Sequence, residues 1–115
     1  MRKVVLFALQ GEALCFIHVL LNALDMQEKG YEVRIVVEGA ACSVLPAIAQ
    51  PHHFLHGLYT RAKIAGLFAG ACLACSTKQN VDAAIASDGI PLIGDMHGHP
   101  SLSTYVEAGF QIITL

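Results

Sequence analysis

Two apolar runs, Val4-Val5-Leu6-Phe7-Ala8-Leu9 and Glu32-Val33-Arg34-Ile35-Val36-Val37, enclose a segment long enough to form a helix. Short runs that are rich in β-branched residues predict buried strands. The segment between them, residues 12–29, ends in Lys29-Gly30, and glycine directly after the last helical residue is a common helix stop. The three segments together predict a β-α-β unit with two parallel strands.

The rest of the chain continues this alternation. The patterns predict further helices at 40–50, 51–65, 81–87 and 100–108, and further strands at 67–72, 91–94 and 111–115. Pro51 and Pro100 are expected at first helical positions, and residues 76–80 are expected to form a polar turn whose Asn80 caps the next helix. Five strands alternating with helices predict one α/β domain over residues 1–115, with a mainly parallel five-stranded sheet in a three-layer α/β/α arrangement.

The composition is unusually apolar for a single domain. Hydrophobic residues make up 55% and charged residues 14% of the chain, against roughly 45–50% and about 25% in typical soluble domains. A sheet buried on both faces and an oligomer that hides part of each subunit both explain this, and we expect both. The net charge of -2, without clustered Lys or Arg, excludes nucleic acid as an expected partner.

The apolar windows are too short or too interrupted to span a bilayer, and no cleavage site follows the first strand. We therefore expect no membrane association and a cytoplasmic location. Cysteines are expected to stay reduced there, so the four cysteines predict thiol chemistry or metal binding rather than disulfides. Cys15 and Cys42 stand among apolar neighbours and are interpreted as packing residues.

Polar residues and cysteines that could bind a ligand or take part in a reaction lie where the predicted strands end. In parallel sheets, ligands bind beyond the carboxyl ends of the strands. The residues expected at that edge are Gln10, Glu12, Glu38, Cys42, Cys72, Cys75, Asp95, His97 and His99.

The pair Cys72-Leu73-Ala74-Cys75 leaves three uses open. A thiolate close to unpaired backbone N–H groups has a lowered pKa and could take up persulfide sulfur, while the second thiol assists or resolves the product as a disulfide. The pair could instead bind a metal together with His97 and His99, as a Cys2His2 set. It could also be buried packing. If the pair takes up persulfide sulfur, His97 or His99 would form an ion pair with the thiolate or pass protons.

Other motifs carry less information. His52, His53 and His56 form a second group, in which His52 and His56 are expected one helical turn apart, as surface residues near an oligomer contact or as metal ligands. Asp95 is expected to cap a turn or to orient His97. No glycine-rich phosphate-binding motif occurs, so no cofactor is expected. A polar turn after the cysteine pair would also disfavour thioredoxin-like exchange.

The chain resembles the DsrE/DsrF-like family of small sulfur-relay proteins over essentially its whole length. The segments that carry the resemblance are Lys3-Val4-Val5-Leu6-Phe7, Lys29-Gly30-Tyr31-Glu32-Val33, Gly70-Ala71-Cys72-Leu73-Ala74-Cys75 and Gly109-Phe110-Gln111-Ile112-Ile113. The resemblance implies a DsrEFH-like, or flavodoxin-like, fold assembled as trimers or hexamers. It also implies that Cys72 accepts a persulfide from a donor protein and passes the sulfur to an acceptor protein. Cys75 and the loop at residues 94–100 depart from the relay pattern.

The first hypothesis is therefore a sulfur carrier or sulfurtransferase, with Cys72 as the carrier and Cys75 as the helper. Gln10, Glu12, Asp95, His97 and His99 are expected to bind the substrate or to shape its electrostatics. The alternatives are a metal-binding or small-ligand-binding module that uses the same edge, and an oligomeric interaction protein without catalysis.

Overall fold

The computed structural model describes residues 1–115 as one α/β domain. Its strands are β1 (Lys3–Ala8), β2 (Glu32–Val37), β3 (Phe68–Cys72), β4 (Leu92–Ile93) and β5 (Gln111–Thr114). Its α-helices are α1 (Ala13–Glu28), α2 (Val44–Ile48), α3 (His56–Ile64), α4 (Leu73–Lys78), α5 (Asp82–Ser87) and α6 (Leu102–Glu107), and a 3-10 turn (Gly39–Ser43) precedes α2. None of these helices is both long enough and apolar enough to cross a membrane.

The strands form one sheet in the order β4-β3-β2-β1-β5, and every neighbouring pair is parallel. The predicted five-stranded parallel sheet is thus confirmed. The chain steps from β1 to β4 in one direction and then crosses back to place β5 beside β1. Because parallel crossovers are right-handed, the helices between β1 and β4 cover one face of the sheet and α6 covers the other.

The two faces of the sheet are buried very unequally. The face under the first five helices contributes to a core of 24 buried residues. On the other face the buried cluster contains only Val5, Phe7 and Val36. The Tyr105 ring from α6 packs edge-on against Phe7, with 5.7 Å between ring centroids. The predicted three layers are present, but the third consists of one short helix.

The segment that contains His52, His53 and His56 differs from its prediction. Residues 51–55 form turns and α3 begins only at His56, so Pro51 does not open a helix. The reason is local hydrogen bonding: the Leu55 N–H donates to His53 Nδ1 at 3.0 Å, and His56 Nδ1 lies 3.0 Å from the Ile48 carbonyl oxygen. Side-chain bonds of this kind compete with a helix. His52 and His56 therefore do not share a helical face.

The segment that follows the cysteine pair also differs from its prediction. Helix α4 starts directly after β3 and runs to Lys78, so residues 76–78 of the expected polar turn are helical. Cys72 is the N-cap of this helix, and its sulfur accepts the Cys75 N–H at 3.3 Å. Asn80 adopts a φ of 59° and lies after α4, and the next helix begins at Asp82. Asn80 is therefore not the N-cap of that next helix. Asn tolerates this left-handed conformation, which ends the helix.

The last helix begins later than the sequence predicts. Pro100 is buried but lies outside the helix, whose first residue is Leu102. The Ser101 N–H at the N-cap donates to the Asp95 carboxylate at 3.3 Å, so a side chain from the preceding loop caps the helix. Such a carboxylate satisfies an N–H that would otherwise lack a partner.

Candidate functional site

Two cysteines and one histidine meet at the carboxyl edge of the sheet. Cys72 ends β3, Cys75 lies in the first turn of α4, and His99 comes from the loop between β4 and α6. His99 Nδ1 is 3.1 Å from Cys72 Sγ and 3.9 Å from Cys75 Sγ. The three atoms all lie within 4.8 Å of one another. The structure thus brings together three of the four residues that the Cys-x-x-Cys and His-x-His motifs suggested.

A tight turn decides which histidine reaches the thiols. Met96 and His99 exchange two backbone hydrogen bonds of 2.8 and 2.9 Å, while His97 and Gly98 between them adopt φ values of 50° and 90°. Two successive residues with positive φ form the tightest kind of reversing turn. The Gly98 carbonyl oxygen then accepts the Ala74 N–H at 2.8 Å, which ties the loop to α4. His97 lies exposed at the tip, away from the sulfur atoms.

Cys72 is held as a neutral thiol. Its side chain is completely buried. The pKa of the Cys72 thiol is raised to about 12, chiefly by burial; the Cys75 N–H lowers it, and the nearby Cys75 and Cys42 thiols contribute to the rise. An unpaired charge inside a protein is strongly disfavoured, so the raised pKa follows from the burial. At neutral pH Cys72 is a poor nucleophile.

Cys75 faces an open cavity of about 840 Å³. The cavity lies beyond the ends of β1, β2 and β3, and its walls are Gly11, Gly39, Ala40, Ser43, Ala74, Cys75, Lys78, Gln79 and His99. On this wall Gly11 packs closely against Ala40, since a Cβ at Gly11 would approach the Ala40 Cβ to 2.9 Å. Cys75 is thus the thiol of the pair that an external reactant can reach.

A third thiol, that of Cys42, adjoins the pair. Cys42 is completely buried after β2, and its thiol donates to the Val37 carbonyl oxygen at 3.6 Å. Burial raises its pKa, and the Cys75 thiol adds to that rise, whereas the Ser76 hydroxyl and the Cys72 backbone lower it. Ser76 is itself completely buried, and its hydroxyl has no hydrogen-bond partner. The sequence placed Cys42 at this edge of the sheet but gave no signal of its closeness to the pair.

Glu38 is a further neighbour of His99; the sequence placed it at this edge of the sheet but indicated no role for it. Burial raises the pKa of its carboxyl group, and the charge of His99 partly reverses this rise. Both residues line a second cleft, of about 300 Å³. His99 therefore lines two cavities, one with the Cys75 thiol on its wall and the other with the Glu38 carboxyl group.

The remaining expected site residues lie outside the thiol cluster. Gln10 and Glu12 are exposed, and the cavity wall at this point is formed by Gly11 between them. Glu12 occupies the N-cap position of α1 without a capping side-chain bond. Asp95 accepts hydrogen bonds from Ser101 N–H and from the Thr104 hydroxyl, each at 3.3 Å. Asp95 therefore has the turn-capping role and does not bond to either histidine.

The four thiols are expected to react with an alkylating reagent in two classes. Cys15 is exposed on α1, because its helix position faces away from the sheet. The interpretation of Cys15 as a packing residue is therefore wrong. Cys15 and Cys75 should react with iodoacetamide in the folded protein, whereas Cys42 and Cys72 should react only after unfolding, because they are buried and protonated. Peptide mass mapping after timed quenching measures this order. Early modification of Cys72 ahead of Cys75 would contradict it.

Comparison with known proteins gives relatives but no activity. No protein-family model matches the chain, and no solved structure matches it. The chain is 34% identical over 98 residues to "Uncharacterized protein MJ0733" of Methanocaldococcus jannaschii, a match that covers 85% of this chain and 78% of that protein. An "Uncharacterized protein" of Archaeoglobus fulgidus is 31% identical over 45 residues, which are 39% of this chain and 72% of that protein. A function must therefore be argued from the geometry of the site.

Proposed function

This chain belongs to the same family as MJ0733 of Methanocaldococcus jannaschii, and we propose that it is a sulfur carrier that holds a persulfide on Cys75. The observation that carries the proposal is the placement of the Cys75 thiol on the wall of an open cavity, with His99 Nδ1 3.9 Å from its sulfur. The resemblance to DsrE/DsrF-like proteins supports the same class of chemistry.

Accessibility decides between the two cysteines. The resemblance implies Cys72 as the carrier, but that thiol is completely buried and its pKa is raised to about 12. A thiol must become a thiolate and reach its donor in order to react. Cys75 can reach a donor, since it lines the cavity. In this proposal Cys75 is the carrier and Cys72 is its internal partner.

The transfer step conserves both the sulfur oxidation states and the protons. The Cys75 thiol gives its proton to His99 Nδ1, and the resulting thiolate attacks the terminal sulfur of a donor persulfide. The S–S bond of the donor breaks, a new S–S bond forms on Cys75, and the donor leaves as a thiolate that takes up a proton. The sum is Cys–SH + R–S–SH → Cys–S–SH + R–SH, which needs neither an oxidant nor a reductant.

His99 is suited to this proton transfer by its position. Its Nδ1 faces both sulfur atoms, so the neutral ring acts as an acceptor when the other nitrogen carries the proton. Once protonated, the ring is a positive charge beside the persulfide anion on Cys75. Opposite charges at this distance favour the ionised form of the sulfur.

The raised pKa of Cys72 keeps this thiol from attacking the persulfide stored on Cys75. If Cys72 attacked the persulfide on Cys75, a Cys72–Cys75 disulfide would form and the terminal sulfur would leave as hydrogen sulfide. That reaction requires the Cys72 thiolate, whose formation the raised pKa suppresses at neutral pH. The carrier can therefore keep its sulfur until an acceptor thiol enters the cavity.

The proposal includes the partners and the setting that the sequence suggests. The carrier acts in the cytoplasm between a donor protein and an acceptor protein, as a trimer or hexamer and without a bound cofactor. An apolar surface supports the oligomer: Met96, Leu102 and Val106 are exposed around α6, and this helix alone covers one face of the sheet. Apolar surfaces of this kind often mark contacts between subunits.

Sulfur uptake followed by intact mass tests the proposal. We use the Cys15→Ser protein as the parent, because this change removes the other exposed thiol. Incubated with a small-molecule persulfide, the parent and its Cys72→Ala variant should each gain one sulfur, which a reducing agent removes. The Cys75→Ala variant should gain none.

The two alanine variants are matched controls for each other, since they remove neighbouring thiols from the same site. Circular dichroism establishes that each variant is folded. Uptake that persists in Cys75→Ala and disappears in Cys72→Ala would contradict the assignment, and a parent that takes up no sulfur would contradict sulfur transfer itself.

A further inference from the structure

The arrangement of the two thiols and the imidazole matches the ligand set of a zinc ion. A tetrahedral zinc site has Zn–S and Zn–N distances of about 2.3 and 2.0–2.1 Å, which place its sulfur and nitrogen ligands about 3.6 Å apart. His99 Nδ1 lies 3.1 Å from Cys72 Sγ and 3.9 Å from Cys75 Sγ. Both sulfur–nitrogen distances are thus within about half an ångström of the separation that zinc requires.

The three atoms also lie close together. All of them lie within 4.8 Å of one another, although they come from the end of a strand, the first turn of a helix and a separate loop. His99 lies 24 residues beyond Cys75 in the sequence, so the fold brings it to the cysteine pair. Their chemistry is that of a soft site, since sulfur and imidazole nitrogen prefer zinc over magnesium or calcium.

We propose that Cys72, Cys75 and His99 bind one Zn²⁺ through Cys72 Sγ, Cys75 Sγ and His99 Nδ1, with the fourth position open to the cavity. The ion displaces two protons, one from each thiol, and His99 binds as the neutral ring with its proton on Nε2. The two thiolates cancel the charge of the ion, so the buried Cys72 sulfur carries no uncompensated charge.

The surroundings hold the ligands in place before any ion arrives. The Cys75 N–H donates to Cys72 Sγ at 3.3 Å and fixes the first turn of α4. The His99 loop is held by its bonds to Met96 and by the 2.8 Å bond from Ala74 N–H to the Gly98 carbonyl oxygen. Outer contacts that orient the ligands raise metal affinity. Because Cys75 lines the cavity, the open position is accessible to water or to a thiol.

Zinc and sulfur would compete for Cys75. A zinc-bound thiolate cannot at the same time carry a persulfide, so the loaded site is closed to sulfur transfer. The metal proposal rests on the three-atom geometry and stands independently of the proposed function.

Zinc binding is measured on the reduced full-length protein by competition with a chromophoric chelator, and Co²⁺ serves as a spectroscopic probe. The protein should bind one Zn²⁺ per chain, and Co²⁺ should produce a thiolate-to-cobalt charge-transfer band. Cys72→Ser, Cys75→Ser and His99→Gln should each weaken zinc binding by more than the roughly 10–100-fold that loss of an outer contact causes.

Two variants are matched controls. Cys15→Ser removes an exposed thiol outside the cluster, and His97→Asn removes the other histidine of the same loop while tolerating its positive φ. Both should bind zinc as the natural protein does. Binding that survives His99→Gln unchanged, or a cobalt complex without the charge-transfer band, would overturn the proposal. A protein that binds zinc but takes up no sulfur would refute the proposed function alone, and the converse result would refute the zinc site alone.

Discussion

The His99→Gln variant should take up persulfide sulfur about 100-fold more slowly than the natural protein, because a positioned proton acceptor contributes a factor of about 10²–10⁴ to a rate. In the natural protein the His99 Nδ1 lies 3.1 Å from Cys72 Sγ and 3.9 Å from Cys75 Sγ. Glutamine keeps a polar side chain there but cannot accept a proton at neutral pH. The Cys75 proton must then pass to solvent before the sulfur can attack the donor. Quenched-flow mass spectrometry of the loaded protein measures the rate.

Added imidazole distinguishes a proton-accepting role of His99 from a purely structural one. If the histidine acts as a proton acceptor, added imidazole should partly restore the rate of His99→Gln, because a small base can enter the cavity of about 840 Å³. His97→Asn, in the same loop, should react at the normal rate. An unaltered rate in His99→Gln would remove the histidine from the transfer step, and a slow variant that imidazole does not rescue would restrict His99 to positioning the thiols.

The folded protein should lose about 2 kcal/mol of unfolding free energy between about pH 7 and about pH 10 through Cys72, because an unfolded thiol ionises near pH 8.5. Burial raises the pKa of this thiol in the folded state to about 12. A raised folded pKa gives stability that is complete below the unfolded pKa and is lost as pH rises towards the folded pKa. Cys42 contributes in the same direction, since burial also raises its pKa. Urea unfolding under reducing conditions measures the loss at each pH.

Cys72→Ala provides the control for this pH dependence. The variant should be less stable at neutral pH because it loses a buried sulfur atom, but its stability should fall less steeply between the two pH values. The difference between the two slopes of unfolding free energy against pH reports the ionisation of Cys72 alone, because the loss of buried atoms lowers the stability equally at both pH values. A natural protein whose stability does not change over this range, or a variant with the same slope, would show that Cys72 ionises normally in the folded state.

The β-α-β unit could be read from the sequence because its apolar runs and its helix have their usual lengths. The strand at Glu32–Val37 has the expected bounds. Prediction was wrong where side chains satisfy backbone groups in uncommon ways. The His53 ring accepts a backbone N–H and holds residues 51–55 in turns, although Pro51 favours a helix start. A cysteine sulfur caps α4, and Cys is not among the residues that usually cap helices.

The edge of the sheet that carries the site, and the candidate residues Cys72, Cys75, His97 and His99, followed from the strand ends, but which of these candidates come together did not. His97 and His99 are equivalent in the sequence, and the turn with positive φ at His97 directs only His99 towards the thiols. Burial separates Cys72 from Cys75, and burial depends on how the helices pack over the sheet. The closeness of Cys42 to the pair depends on the same packing.

The position of the bound sulfur tests the central claim most directly. The Cys15→Ser protein is loaded with a small-molecule persulfide, its persulfide is trapped with an alkylating reagent, and the peptide that contains both Cys72 and Cys75 is fragmented in a mass spectrometer. Our account predicts that the additional sulfur is found on Cys75, with Cys72 unmodified. Additional sulfur on Cys72, with Cys75 as a free thiol, would contradict it.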